Sequence, residues 1–201
     1  WIMPNPGDAG GALGAALLSY GGKTQFTPYL GYNISRKIDP KKVVDCLLKN
    51  KIAGVANGRA EFGPRALGNR SLLADPREIQ TKDLVNDIKQ RQKFRPFAPA
   101  ILEEHCHDYF DMPDHSRYMS YTYQCTRSDD IPACLHVDNS ARVQTVPETS
   151  NSILRPILEA WYERTGCPVL LNTSLNVRGK PMVNDWSDAE LFSKKYSVDV
   201  F

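Results

Sequence analysis

The segment GRAEFGPRALGNRSLLADPR, residues 58–77, cannot continue a helix or run as a plain strand. It holds four arginines, three glycines and two prolines against two acids. Gly58, Gly63 and Gly68 recur every five residues, a spacing that no helix face repeats, and each permits a positive φ or a close approach of another group. Pro64 fixes φ just before Arg65. The chain around this segment must therefore be a set of short elements joined by shaped loops, with the apolar runs Ile52–Ala56 and Ser71–Ala74 as buried strands beside it. An arginine fork on such a loop suits phosphate or carboxylate. The plainer alternative is a surface turn whose arginines pair with Glu61 and Asp75.

The remaining pattern mixes strands and helices. Trp1–Met3 reads as a strand, Pro4–Gly11 as a turn and Ala12–Ser19 as a helix stopped by Gly21 and Gly22, followed by an irregular connection over residues 23–38. Helices are expected over Pro40–Asn50, Thr81–Gln92, Glu103–Phe110, Ser152–Thr165 and Asp185–Lys195, with Ser152 as a cap. FRPFAPAIL is extended because the residue before each proline is pushed out of the helical region. Met119–Cys125, Ala141–Val146 and CPVLLNTS read as strands. Without strict alternation of the two element types, the expectation is an α/β (α+β) open sheet.

Charge narrows the partners. The 25 basic and 23 acidic residues of this 201-residue chain leave a net charge of +2, too little to hold duplex nucleic acid or an acidic membrane through a global field. No apolar run approaches a membrane span. The five cysteines are odd in number and include no C-x-x-C pair, which points to a reduced, cytoplasmic protein. The chain has no initiator Met and begins mid-pattern, so it reads as a segment of a longer protein.

Three further basic loops accompany the first. NDIKQRQKFRPFAP places Lys89 and Arg95 six residues apart across a helix end; Arg91 and Lys93 read as a solvated face, whereas Arg95, between Phe94 and Pro96, is expected to have a buried partner or a ligand. HVDNSARVQTV sets Arg142 at the start of a strand. LLNTSLNVRGKP carries Thr173, Ser174, Asn176 and Arg178 past the end of an apolar strand, a common way to hold phosphate, with an Asx- and Ser-rich turn as the alternative. Together the four favour a site for a polyanionic small molecule such as ATP. His105, Cys106, His107 and His115 match no zinc spacing, and neither a nucleophile elbow nor a Walker loop is present.

GRAEFGPRALGNRSLLADPR, KFRPFAPAILEE, HVDNSARVQTV and LLNTSLNVRGKPMV, in that order over most of residues 40–190, resemble the C-terminal half of O-carbamoyltransferases typified by nodulation protein U and by the antibiotic carbamoylases of tobramycin and cephamycin pathways. The resemblance implies an N-terminal actin-like domain that moves a carbamoyl group onto a hydroxyl of a small-molecule acceptor. It implies a C-terminal YrdC-like domain, a twisted sheet with flanking helices, that forms carbamoyl-adenylate from carbamoyl phosphate and ATP with Mg2+. Residues 1–38 would be the end of the first domain and 39–201 the second. Lys89, Arg95 and Arg142 would be the catalytic cations. Arg65, Arg70, Thr173, Ser174, Asn176 and Arg178 would bind nucleotide or phosphate, with Arg65 and Arg70 either touching ligand or bracing the domains. Asp8 would ligate Fe2+, complete only in the full-length protein because the histidines of that site lie upstream in family members; transfer to the acceptor would be impossible for this chain alone. Ala60 and Leu175 replace a methionine and a phenylalanine common in the family, changes of packing more than chemistry. The resemblance implies that the chain, ending at Phe201, falls short of the family's final segment. The competing reading is a non-catalytic module of YrdC-like fold that binds nucleotide or an RNA end, with nucleic acid disfavoured by the charge; a third is a fragment that only docks on its partner domain.

Overall fold

A computed structural model describes residues 5–201; the strand expected over Trp1–Met3 lies outside them. The elements in order are α1 (Asp8–Tyr20), β1 (Tyr29–Ile34), α2 (Pro40–Asn50), β2 (Ile52–Ala56), β3 (Gly58–Glu61), β4 (Arg70–Ala74), α3 (Ile79–Ile88), β5 (Ala98–Leu102), α4 (Cys106–Tyr109), β6 (Phe110–Asp111), β7 (Tyr123–Cys125), β8 (Ser140–Ala141), β9 (Gln144–Val146), α5 (Leu154–Thr165), β10 (Val169–Ser174) and α6 (Trp186–Tyr196).

The main sheet has the order β2-β4-β10-β5-β9, antiparallel except for the β5–β9 pair. Residues 199–201 add a short parallel ladder outside β2, where Phe201 N–H donates to the Gly54 carbonyl and Ala56 N–H to that of Phe201. Both faces of the sheet are covered, which is why its strands read as unbroken apolar runs. Strand alternation sends Ile52, Leu72 and Leu171 to one face, under Val85 of α3 and Phe192 of α6. Ala53, Val55, Leu73 and Leu170 go to the other, under Val44 and Leu47 of α2 and Leu158 and Trp161 of α5. The open α/β sheet expected from the sequence is the fold observed.

The helix ends follow their local chemistry. Asp39 accepts from Lys41 N–H at 3.0 Å and Pro40 opens α2, while Gly166, at φ 68°, closes α5. Ser152 Oγ accepts from Leu154 N–H at 3.3 Å, and α5 begins at Leu154.

Two differences from the expectation bear on the site. The connection expected to be irregular carries β1, which pairs antiparallel with β3 inside the arginine-rich segment. A Cβ on Gly31 would come 2.8 Å from that of Ala60, so the close approach of the two strands requires glycine at position 31. The strand expected over Met119–Cys125 shrinks to Tyr123–Cys125, paired with β6 and β8 in a separate small sheet. All five cysteines are free and buried. Among the described residues, no helix is long and apolar enough to cross a membrane.

Candidate active site

The ends of β5 and β10 open onto a hollow of about 120 Å3. Arg65 reaches it from the loop after β3, Arg91 from the turn after α3 and Arg142 from the junction of β8 and β9. Asn172, Thr173 and Ser174 at the end of β10 complete its polar wall, with Phe97 and Met119 as apolar lining. No carboxylate lines it, and none of the three arginines forms a salt bridge among the described residues.

The Arg65 loop and the Arg91 side chain are held from behind. The loop carrying Arg65 is pinned by the buried Glu61, whose Oε1 accepts from Leu67 N–H at 2.7 Å and Asn69 N–H at 2.8 Å. Gly63 and Gly68, at φ 140° and 123°, bend the loop around that carboxylate, as their spacing suggests. A Cβ on Gly68 would also meet Ser152 Oγ at 2.5 Å and Leu154 Cβ at 2.6 Å. Arg91 donates from Nε to Asn86 Oδ1 at 2.6 Å and from Nη2 to the Pro96 carbonyl at 3.3 Å, with its guanidinium 4.2 Å from the centre of the Phe97 ring. The buried Asn86 amide in turn donates to the carbonyls of Lys93 and Arg95, fixing the whole turn.

The electrostatics are those of an anion clasp. Burial, then the charges of Arg95 and Arg142, push Arg91 down to about 10. Burial, then Arg65, lowers Arg142, whose buried Nε has no partner among the described residues. Like charges gathered with no carboxylate lining the same hollow repel one another, and an anion would relieve that repulsion.

The other expected residues fall elsewhere. Arg70 is fully buried and does not reach the hollow: it donates to the carbonyls of Asn57, Gly58, Asn69, Tyr32 and Asn184 at 2.8–3.1 Å. It braces the fold, and the expectation that it binds phosphate is corrected, because every donor faces the backbone. Lys89 stands behind the wall. Its Nζ lies 2.6 Å from the Ser174 carbonyl and 3.0 Å from both the Asn176 carbonyl and Asn176 Oδ1. Arg95 is exposed, because residues 91–97 form a turn and the strand begins only at Ala98; the buried partner expected for it is not there. Arg91, read from the sequence as solvated, occupies the hollow instead. Its signal in the sequence was faint: an amide five residues before it and an aromatic six after it. Arg178 is exposed outside the hollow, with its N–H on the Lys89 carbonyl. Asn176 is bonded to Lys89, Ser174 Oγ and the Lys180 carbonyl. Asp8 is exposed at the start of α1, and among the described residues no group of three or more His, Cys, Asp or Glu could hold a metal, so they do not fit an iron centre.

A larger cavity of about 670 Å3 lies between α6 and residues 175–183. Its walls are mainly apolar, with Leu175, Val177, Val183, Leu191 and Phe192, and none of the arginines reaches it.

Comparison with known proteins places the chain in a family. Residues 44–201 match the family model described as Carbamoyltransferase C-terminus. The chain is 36% identical to nodulation protein NolO of Bradyrhizobium diazoefficiens, an alignment covering 94% of this chain and 40% of that protein. It is 34% identical to a 3'-hydroxymethylcephem-O-carbamoyltransferase of Amycolatopsis lactamdurans, over 98% of this chain and 41% of that one. The chain thus spans about two fifths of the length of these relatives. Among solved structures, full-length HypF in a phosphate- and nucleotide-bound form superposes with a TM-score of 0.58 at 18% identity, covering 81% of this chain and 24% of that one. P. abyssi Sua5 complexed with L-threonine superposes with a TM-score of 0.58 at 12% identity, covering 85% of this chain and 49% of that one. These likenesses establish a YrdC-like fold.

Proposed function

The chain belongs to the carbamoyltransferase C-terminus family, and from that premise we propose that it forms carbamoyl-adenylate from carbamoyl phosphate and ATP. An N-terminal actin-like partner domain would then pass the carbamoyl group to the hydroxyl of a small-molecule acceptor. In this reading residues 1–38 belong to the end of that partner and residues 39–201 to the adenylate-forming domain. The observation that carries the proposal is the convergence of Arg65, Arg91 and Arg142 on one hollow that no carboxylate lines.

The chemistry asks for such a place. Water displaces phosphate from carbamoyl phosphate, leaving carbamate and inorganic phosphate. A carbamate oxygen then bonds to the α-phosphorus of ATP as the bond from that phosphorus to the β-bridging oxygen breaks, and pyrophosphate leaves. Two anions must meet, and charge spreads over the oxygens of the phosphoryl group in transit. Three guanidinium groups, that of Arg91 fixed by Asn86 and the Pro96 carbonyl, would cancel the first repulsion and stabilise the second. Thr173 and Ser174 line the hollow from the end of a central strand, with the Ser174 hydroxyl already donating to Asn176 Oδ1 at 2.6 Å. A hollow of about 120 Å3 takes the reacting groups, while typical ligand sites of roughly 300–1,000 Å3 hold whole molecules. The adenosine therefore extends outside it. Magnesium, when bound, would be held by phosphate oxygens and water, since no carboxylate lines the hollow, and would neutralise the leaving pyrophosphate. The test is isotope exchange between pyrophosphate and ATP in the full protein. Exchange that needs carbamoyl phosphate supports the proposal; exchange indifferent to it, or none, overturns it.

A further inference from the structure

The Arg65 side chain lines the hollow but makes no hydrogen bond or salt bridge among the described residues, so its place is set by the backbone that carries it. That backbone is fastened on both sides of Arg65. After it, Glu61 Oε1 takes the N–H groups of Leu67 and Asn69. Before it, both polar backbone groups of Phe62 are taken by residues that precede β1. Phe62 N–H donates to the Pro28 carbonyl at 2.6 Å, and the Phe62 carbonyl accepts from Asn5 Nδ2. A carbonyl can only accept, so the Asn5 amide must turn its nitrogen to it.

Asn5 is 2% exposed although it stands outside the helices and strands. Its Oδ1 fills the space that a Cβ on Gly63 would take, so position 63 needs glycine both for its φ of 140° and for this contact. Between the held Phe62–Gly63 peptide and Arg65 stand only Gly63 and Pro64, and the Pro64 ring removes one of their rotations. Releasing the Phe62 carbonyl would leave glycine, the residue with the widest choice of φ, to decide where Arg65 points. We infer that Asn5 is a positioning residue: it fixes the peptide from which Arg65 is presented, and so sets the geometry of the anion clasp from the N-terminal segment. This rests on the reading of the hollow as a phosphate site, and it adds a residue from the stretch that the proposal above assigns to the partner domain.

The test is a double-mutant cycle between Asn5→Ala and Arg65→Ala in the full protein, read by calorimetric titration with inorganic phosphate. Asn5→Ala alone is expected to weaken phosphate binding by about 3- to 10-fold, the scale of one hydrogen bond. In the Arg65→Ala background the same change is expected to cost less than about twofold, because no guanidinium is left to place. A merely structural role would lower the folded fraction in both backgrounds and would not give this difference. Asn5→Asp keeps the shape but, ionised, cannot donate to a carbonyl; it is expected to behave as the alanine variant does and serves if that one does not fold. Pyrophosphate, which carries more charge, replaces phosphate if Arg65→Ala binds phosphate too weakly to titrate. Equal losses in the two backgrounds, or no loss in either, overturn the inference. A wild type that binds neither phosphate nor pyrophosphate overturns the reading of the hollow and this inference with it, a result distinct from both.

Discussion

The ammonium of Lys89 lies 2.6 Å from the backbone carbonyl oxygen of Ser174, tying the residue that ends α3 to the strand end that forms the wall of the arginine hollow. Asn176 gives it two further oxygens at 3.0 Å, one from the backbone and one from the side chain. Lys89 thus acts on the site through Ser174. Replacing it with methionine leaves two buried carbonyls without a donor, which costs roughly 1–3 kcal/mol in stability. Pyrophosphate exchange is expected to fall by about tenfold or more, as loss of a positioning contact commonly does. A urea midpoint and the exchange rate, measured on the same preparation of Lys89→Met, check both.

The same lysine gives the fold a pH signature. Burial, followed by the charge of Arg91, lowers it from 10.5 to about 7. Between those values the unfolded chain carries a proton on this amine that the folded chain does not. Stability therefore rises with pH across the window from about 7 to 10.5 and is flat in this respect below it. In Lys89→Met that rise is missing, so the wild type gains on the variant as the solution becomes more alkaline. Chemical denaturation at three pH values inside the window measures it; a gap between the two proteins that narrows with alkalinity would contradict the assignment.

Arg142 presents the opposite balance between stability and function. Its guanidinium is half-buried beside Arg65, and its Nε has no partner among the described residues. Arg142→Met removes an unpaired charge from a cluster of like charges, so the variant is expected to melt at the same temperature as wild type or higher. Exchange is expected to drop by about 100- to 1,000-fold, by analogy with losing one donor to a developing oxyanion. Pyrophosphate is expected to raise the melting temperature of wild type more than that of the variant. Differential scanning fluorimetry with and without pyrophosphate reports the first and third outcomes.

Much of this site could be read from residue order, and the parts that could not have physical reasons. The loop around Arg65 was legible because glycine and proline restrict backbone geometry locally, and Gly63 and Gly68 do adopt positive φ. The strand end at Thr173 and Ser174 was legible because an apolar run stops there. Arg91 and Arg95 were transposed, one expected in solvent and the other in the site. Which of two nearby arginines turns inward depends on Asn86 and Phe97, and their contacts exist only once the turn has folded. β1 was hidden because its strand alternates half-buried and exposed residues and contributes little to the core.

Arg65 and Arg70 separate the two uses of arginine within one motif. They stand five residues apart in GPRALGNR, and from sequence either could face a ligand. Arg70 is fully buried, and its guanidinium joins the β1 backbone at Tyr32, the turn at Asn57 and Gly58, and the segment at Asn184 that leads into α6. Arg70→Ala would leave those carbonyls without donors and open a void among them, a loss of about 3–5 kcal/mol by comparison with other broken buried charge networks. Lysine cannot repair it, because one ammonium cannot span carbonyls that a planar fork reaches from both ends. Arg65 is half-buried with no salt bridge among the described residues. Arg65→Ala is therefore expected to stay within about 0.5 kcal/mol of wild-type stability, as surface changes away from such networks do. Its loss would appear in phosphate binding, where Arg70→Lys, in whatever fraction remains folded, keeps the wild-type affinity. Urea titrations paired with phosphate calorimetry on the two variants decide the matter: a destabilised Arg65→Ala with intact phosphate binding would reverse the roles assigned here.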